Sequence, residues 1–156
     1  MLFVIDTSSL IVLQKLQWLN LCELGENLFI WPVRVTEELK QQKGKNKRIL
    51  ALLASMIASE GRMEKAFDIA KISKTDADVI SLAAENNAVV VSEDILLRHK
   101  ATRLGLSTAS VGALVVLLYQ NELYSKHECL VRLRTLHDEK FLSKAEYRQL
   151  LQSILP

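Results

Sequence analysis

Turn-forming residues are scarce in this chain of 156 residues, which has five glycines and two prolines. No segment rich in glycine, serine or proline interrupts it, and no internal repeat is found. Hydrophobic residues make up 49% of the chain, enough to bury a core at this length. We therefore predict one domain spanning residues 1–156, with a core over about residues 1–123 and a helical tail over about residues 124–156.

Long apolar runs are also missing. The longest, Val111 to Tyr119, is well short of the roughly 20 residues that a membrane-spanning helix needs. The first residues, Met1 to Asp6, have no basic segment and reach a carboxylate too early for a secretory signal. We expect a cytoplasmic protein with no membrane contact.

The chain has few groups that could serve other chemistries. Its two cysteines, Cys22 and Cys129, lack a CxxC spacing or a nearby histidine, so we expect buried thiols. The three histidines share no spacing typical of a metal site, and no nucleotide-binding or serine-hydrolase motif occurs. The formal net charge of +2 does not by itself indicate a nucleic-acid binder.

Short apolar strands alternate with helical patterns. The predicted strands are Leu2 to Ile5, Leu28 to Trp31, Ala88 to Val91 and an edge strand within Leu106 to Ala109. The predicted helices are Leu10 to Leu19, Val33 to Lys40, Ile49 to Ile57, Thr75 to Asn86, Asp94 to Ala101, Val111 to Glu122, Lys126 to Leu136 and Ser143 to Leu155. This alternation predicts an α/β protein with a central parallel sheet between helical layers and a C-terminal helical extension.

Three local patterns are less clear-cut. Gln41 to Arg48 is polar and basic, which predicts an exposed turn. Ala66 to Ile72 fits either a short strand or a connecting segment. Thr75 is predicted to cap its helix with Asp78 as the partner three positions on, and Ser143 to Glu146 forms a second such pattern.

Acidic residues follow two of the predicted strands. Asp6 comes directly after the first strand, and Asp94 follows the strand ending at Val91 after two residues. The carboxyl ends of parallel strands face one crevice, where Glu38 and Asp76 are candidates to complete a ring of acids. Such a cluster needs raised pKa values or a bound cation, and carboxylate oxygens suit Mg²⁺ or Mn²⁺.

Each acid also has a structural interpretation. Asp6 and Asp94 could cap the helices that follow them, and Asp76 could be a favourable charge in the first turn of its helix. Glu37 stands beside Glu38, and position alone does not choose between them.

Taken together, four segments resemble the motifs of PIN-domain nucleases. The segments are Val4 to Ser8, Val35 to Leu39, Thr75 to Ala84 and Val89 to Asp94. The second segment resembles a motif in which the catalytic glutamate precedes leucine, which favours Glu38 over Glu37. The order and spacing of all four agree, and the resemblance covers roughly residues 2 to 123.

The resemblance implies a three-layer α/β/α PIN-like fold and an RNA substrate. It implies that Asp6, Glu38, Asp76 and Asp94 bind one or two Mg²⁺ or Mn²⁺ ions, which activate water and neutralise the scissile phosphate. Many members are VapC-like toxins of toxin-antitoxin pairs, so an antitoxin is a candidate partner. The acidic Asp78 and the helical extension depart from the family pattern, which leaves open whether Asp78 touches the metal or caps its helix.

Neighbouring residues are assigned supporting roles. Hydroxyl groups lie beside the acids on Thr7, Ser8 and Ser92. We predict that they orient the carboxylates, and helix capping is the alternative role. Three basic residues follow Asp94, namely Arg98, Lys100 and Arg103. We predict that they contact an RNA backbone, and the alternative is that they form a solvent-exposed helix face.

Other functions remain to be weighed. A receiver-like module needs paired acids after the first strand, and a DxDxT phosphatase needs an acid where Ser8 stands. A PIN scaffold without activity, acting through RNA or protein binding, is the remaining alternative. Leu114, Leu117 and Leu118, together with the final helices, predict an apolar face for a homodimer or an antitoxin.

Overall fold

The computed structural model describes residues 1–24, 28–42, 44–56, 60–61 and 72–155. Its strands are β1 Phe3–Ile5, β2 Phe29–Pro32, β3 Glu60–Gly61, β4 Val89–Val91 and β5 Thr108–Ala109. Its α-helices are α1 Thr7–Lys15, α2 Val33–Gln41, α3 Lys47–Ser55, α4 Lys74–Asn86, α5 Ile95–Arg103, α6 Val111–Gln120, α7 Lys126–Asp138 and α8 Lys144–Gln152, and a short 3₁₀ helix spans Leu19–Glu23. The residues form two compact units, Met1–Thr108 and Ala109–Pro156.

The strands form a sheet in the order β3-β2-β1-β4-β5. β1 pairs in parallel with β2 and with β4, and β2 pairs in parallel with β3. Strands adjacent in the sheet are therefore joined through intervening helices, as the alternating pattern predicted. The α/β class and the three-layer α/β/α arrangement are confirmed.

The central strands are apolar on both faces. Phe3, Val4 and Ile5 of β1 are buried, as are Val90 and Val91 of β4. Such a strand has no polar face to expose, so helices must cover both sides. In the first unit, α4 packs against β1 and β2, while α1 packs against α2 and α3.

One predicted boundary in the first unit is wrong. The first helix ends at Lys15 rather than Leu19, because Gln17 adopts a left-handed conformation with φ of 59°. The predicted turn from Gln41 to Arg48 lies between α2 and α3, and its described residues are exposed except for Asn46. The Asn46 amide is buried and donates hydrogen bonds to the Leu39 carbonyl and the Gln42 side chain.

Two further expectations concern the region before α4. The strand β3 was not predicted from the sequence, since it has only two residues. Of the ambiguous segment Ala66 to Ile72, all but Ile72 lies outside the described residues.

The start of α4 also differs from the prediction. The N-cap is Ser73, not Thr75, and its hydroxyl accepts a hydrogen bond from the backbone N–H of Asp76 at 3.0 Å. The helix therefore begins two residues earlier than expected, and Asp78 cannot be the cap partner. Asp78 is instead buried in the body of the helix.

The second unit contains α6, α7 and α8. Gly112 of α6 allows a close approach, because a Cβ atom there would lie 2.9 Å from side-chain carbons of Leu142 and Leu150. The predicted cap at Ser143 is confirmed as a full capping box with Glu146. The domain prediction for residues 1–156 stays a prediction.

Burial settles two expectations about side chains. Cys22 and Cys129 are free, buried thiols, as predicted. Leu114 and Leu118 are fully buried, so the prediction that they form an apolar face for a partner is wrong; only Leu117 of that set is partly exposed. Among the described residues, no helix combines the length and apolarity needed to cross a membrane.

The cap of α4 can be tested by comparing two hydroxyl residues. Ser73→Ala should cost about 1 kcal/mol of unfolding free energy, because it leaves a helix N–H without its acceptor. That loss corresponds to about 2 to 4 °C in the midpoint of thermal unfolding for a chain of this size. Thr75→Ala is the matched control and should shift the midpoint less. A larger shift for Thr75→Ala would indicate that Thr75, rather than Ser73, caps α4.

Candidate active site

Asp6 ends the central strand and is buried, with 3% of its surface exposed. Its Oδ1 accepts a hydrogen bond from the Ser9 backbone N–H at 2.8 Å, which caps α1. Its Oδ2 accepts from the Ser8 hydroxyl at 2.7 Å and from the Ser92 hydroxyl at 2.6 Å. Asp6 therefore caps a helix, as the structural interpretation held, and also joins the end of β1 to the segment after β4.

Two serines make that connection. The Ser92 hydroxyl, besides donating to Asp6, accepts from the Asp94 backbone N–H at 2.9 Å. The Ser8 hydroxyl likewise accepts from the Glu93 backbone N–H at 3.0 Å. Both hydroxyls thus lie between Asp6 and the backbone that carries Asp94, where the sequence placed them.

Glu38 is half-buried on α2, whereas Glu37 is exposed. The Thr7 hydroxyl, at the start of α1, donates to Glu38 Oε2 at 2.9 Å. Because Thr7 follows Asp6 directly, this bond holds Glu38 beside the end of β1. The contact supports the choice of Glu38 over Glu37.

Asp94 is exposed and caps α5. Its Oδ1 accepts from the backbone N–H groups of Leu96 at 2.7 Å and Leu97 at 3.2 Å. Arg98 Nη1 donates to the Ser92 carbonyl at 2.6 Å, which holds the segment leading into Asp94. A contact between Arg98 and RNA therefore stays a prediction, as it does for Lys100 and the exposed Arg103.

Asp76 lies half-buried in the first turn of α4. Burial raises its pKa above the ordinary value of 3.8, hydrogen bonds from Ser73 oppose that rise, and the charges of Asp94 and Glu38 add to it. Burial also raises the pKa of Asp6, against the lowering effect of its serine partners. The charges of Asp94 and Glu38 thus act on Asp76, while Asp6 is linked to the Asp94 backbone through Ser92.

The acids suit a divalent metal in their chemistry. Their donors are all carboxylate oxygens. Burial makes the charged forms of Asp6 and Asp76 costly, and the charges of Asp94 and Glu38 add to that cost for Asp76, so a cation would relieve it. Among the described residues, no three or more histidine, cysteine, aspartate or glutamate side chains stand close enough together to hold a metal ion. Metal binding by the four acids therefore stays a prediction.

An open cleft of about 260 Å³ adjoins Glu38 and is lined by Arg34, Glu37, Glu38, Gln41 and Thr75. Arg34 Nε lies 2.5 Å from Asp78 Oδ2, so Asp78 is ion-paired and is not a helix cap. The sequence analysis missed Arg34. Its spacing of four residues from Glu38, which places both on one helix face, was the available signal.

Comparisons with known proteins identify the family to which this fold and these acids belong. The family model described as "DUF3368: PIN domain" matches residues 2–155. The chain belongs to the PIN-domain family. The resemblance predicted over residues 2 to 123 is confirmed, and the match extends through the C-terminal helices.

Two individual proteins are similar to the chain. Ribonuclease VapC1 of Thermoplasma acidophilum is 35% identical over 117 residues, which cover 68% of this chain and 56% of that protein. The chain therefore spans about half the length of this curated relative. A solved domain of a functionally unknown protein from Methanocaldococcus jannaschii has a TM-score of 0.47 and 18% identity, covering 69% of this chain and 89% of that one. That likeness is too weak to support the fold assignment.

The raised pKa of Asp76 predicts that its ionised carboxylate lowers the stability of the metal-free protein. Its pKa is raised in the folded state, so the ionised carboxylate destabilises the fold increasingly as the pH rises above about 3.8. Asp76→Asn should therefore raise the midpoint of thermal unfolding in EDTA near pH 7, with a gain that shrinks toward pH 4. Glu37→Gln, which removes an exposed acid, should leave the midpoint unchanged. A midpoint lowered by Asp76→Asn across this pH range would contradict the predicted repulsion.

Proposed function

We propose that the chain is a divalent-metal-dependent endoribonuclease that hydrolyses RNA phosphodiester bonds. Asp6, Glu38, Asp76 and Asp94 hold the Mg²⁺ or Mn²⁺. The observation that carries the proposal is a pair of hydrogen-bond links: the Ser92 hydroxyl joins Asp6 to the Asp94 backbone, and the Thr7 hydroxyl, next to Asp6 in the chain, holds Glu38. Membership of the PIN-domain family and the similarity to a protein named a ribonuclease support it.

The side chains that surround the acids act by orientation. The hydroxyls of Ser8 and Ser92 fix the Asp6 carboxylate, and the Thr7 hydroxyl fixes Glu38. The helix amides that Asp94 caps fix its carboxylate. Such neighbours hold ligands in place before a cation arrives, which reduces the entropy lost on binding. A divalent ion bound there lowers the pKa of a water molecule and neutralises charge on the phosphodiester.

The biological setting forms part of the same proposal. We propose that the chain is the toxin of a cytoplasmic toxin-antitoxin pair. Its partner is an antitoxin protein, and the chain itself forms a homodimer. The name of the VapC1 relative supports this setting. Arg98, Lys100 and Arg103 on α5 are the candidate contacts to the RNA backbone, since they follow Asp94 along that helix.

Cleavage assays with a pair of neighbouring acids test the proposed activity. Purified protein should cut a mixed RNA pool with Mg²⁺ or Mn²⁺ and should not cut it in EDTA. Glu38→Gln should reduce cleavage by about 100-fold or more, since loss of a metal ligand removes transition-state charge stabilisation. Glu37→Gln should keep nearly full activity, because that side chain is exposed and, among the described residues, no hydrogen bond like that of Thr7 to Glu38 holds it.

The same assay includes Asp94→Asn as a second variant. Asparagine caps a helix about as well as aspartate, so α5 should remain folded while activity falls. Cleavage that persists in EDTA, or in both Glu38→Gln and Asp94→Asn, would refute the proposed mechanism. Absence of cleavage by the wild-type protein with every metal would favour a PIN scaffold that acts by binding.

Metal affinity provides a test that does not depend on cleavage. Ser92→Ala removes the hydroxyl that links Asp6 to the Asp94 backbone. Calorimetric titration with Mn²⁺ should show an affinity lowered about 10- to 100-fold, which is typical when a residue that orients a metal ligand is removed. Ser55→Ala is the control, since the Ser55 hydroxyl donates to the local Leu52 carbonyl on α3 and has no part in the Asp6 bridge. Equal affinities for both variants would show that the bridge does not matter for metal binding.

A further inference from the structure

Arg34 and Asp78 form an ion pair next to the candidate active site. Arg34 Nε lies 2.5 Å from Asp78 Oδ2, with 47% of the arginine side chain and 8% of the aspartate side chain exposed. Arg34 lies on α2 one turn before Glu38, and Asp78 lies on α4 two residues after Asp76. The pair therefore ties together the two helices that carry these acids.

The surroundings of Arg34 are otherwise acidic or neutral. It lines the cleft of about 260 Å³ with Glu37, Glu38, Gln41 and Thr75, and it is the cationic member of that described lining. An RNA phosphate that approaches this edge meets the repulsion of several carboxylates. A fixed cation beside them offsets this repulsion at one defined position.

The guanidinium has the geometry needed for that task. Its Nε is paired with Asp78, while 47% of the arginine side chain is exposed at the cleft. A guanidinium presents its N–H donors in a rigid plane that matches two oxygens of a phosphate. Because the carboxylate that anchors it is buried, the arginine is held at the cleft before any ligand binds.

We propose that Arg34 docks a backbone phosphate of the RNA substrate beside the metal site, with Asp78 as the positioning residue. The inference rests on the proposed ribonuclease function and adds to it a binding residue outside the four acids. Arg34 contributes to RNA affinity, and Asp78 acts through Arg34.

Fluorescence anisotropy with a single-stranded RNA oligonucleotide tests the docking role. Ca²⁺ replaces Mg²⁺, because it takes the same oxygen ligands with looser geometry and so favours binding over reaction. Arg34→Gln should weaken RNA binding about tenfold. The slope of log affinity against log salt concentration should fall in magnitude by about 0.7, the value for one lost phosphate contact on a single strand. The affinity for Mn²⁺, measured by calorimetry, should stay unchanged.

A double variant separates docking from a purely structural role. Arg34→Gln alone leaves Asp78 buried without its counter-charge, so the midpoint of thermal unfolding should also fall. Arg34→Gln combined with Asp78→Asn removes both charges and should recover the midpoint but not the RNA affinity. Arg134→Gln is the matched control, since it breaks an exposed arginine–aspartate pair on α7 and should change neither quantity.

The outcomes distinguish this inference from the proposed function. Wild-type protein that neither binds nor cleaves RNA with any metal would overturn both. Wild-type protein that cleaves, together with an Arg34→Gln variant of unchanged affinity and salt slope, would overturn the docking role alone. Recovery of RNA affinity in the double variant would also overturn it, because Arg34 would then act only through folding.

Discussion

The parallel register between β1 and β4 is the constraint on which the rest of the site depends. It pairs Ile5 with Val91, and the Asp6 backbone N–H donates to the Val91 carbonyl at 3.1 Å. Asp6 and Ser92 therefore leave their strands at the same level, close enough for their side chains to bond. Because successive side chains alternate between the two faces of a sheet, a shift of one residue in this pairing would place Asp6 and Ser92 on opposite faces and separate their side chains.

Helix starts and acidic side chains coincide throughout the site. Asp6 caps α1, Asp94 caps α5, and Asp76 lies in the first turn of α4 beside its Ser73 cap. The structural and functional interpretations of these residues were therefore not exclusive. The positive ends of the helix dipoles favour negative charge at this edge, which partly offsets the desolvation that raises the pKa of Asp6 and Asp76.

The sequence predicted the features that depend on local pattern. The apolar runs around Val4 and Val90 predicted the central strands, and the acid that follows each of them predicted the edge of the sheet where Asp6 and the Asp94 backbone are linked. The cap of α4 was misassigned because Ser73 and Thr75 are both suitable caps and lie two residues apart. The Arg34–Asp78 pair was missed because it arises from the packing of α2 on α4, which are distant in sequence. Burial of Leu114 likewise depends on tertiary packing that helical periodicity does not encode.

The bonds around Asp6 limit how it can serve a cation. A carboxylate offers about four lone-pair directions, two on each oxygen. The hydroxyls of Ser8 and Ser92 occupy both directions on Oδ2, and the Ser9 backbone N–H occupies one on Oδ1. At most one direction remains, on Oδ1. A cation held by Asp6 would therefore meet this carboxylate through Oδ1 alone, and a second oxygen would have to come from another acid.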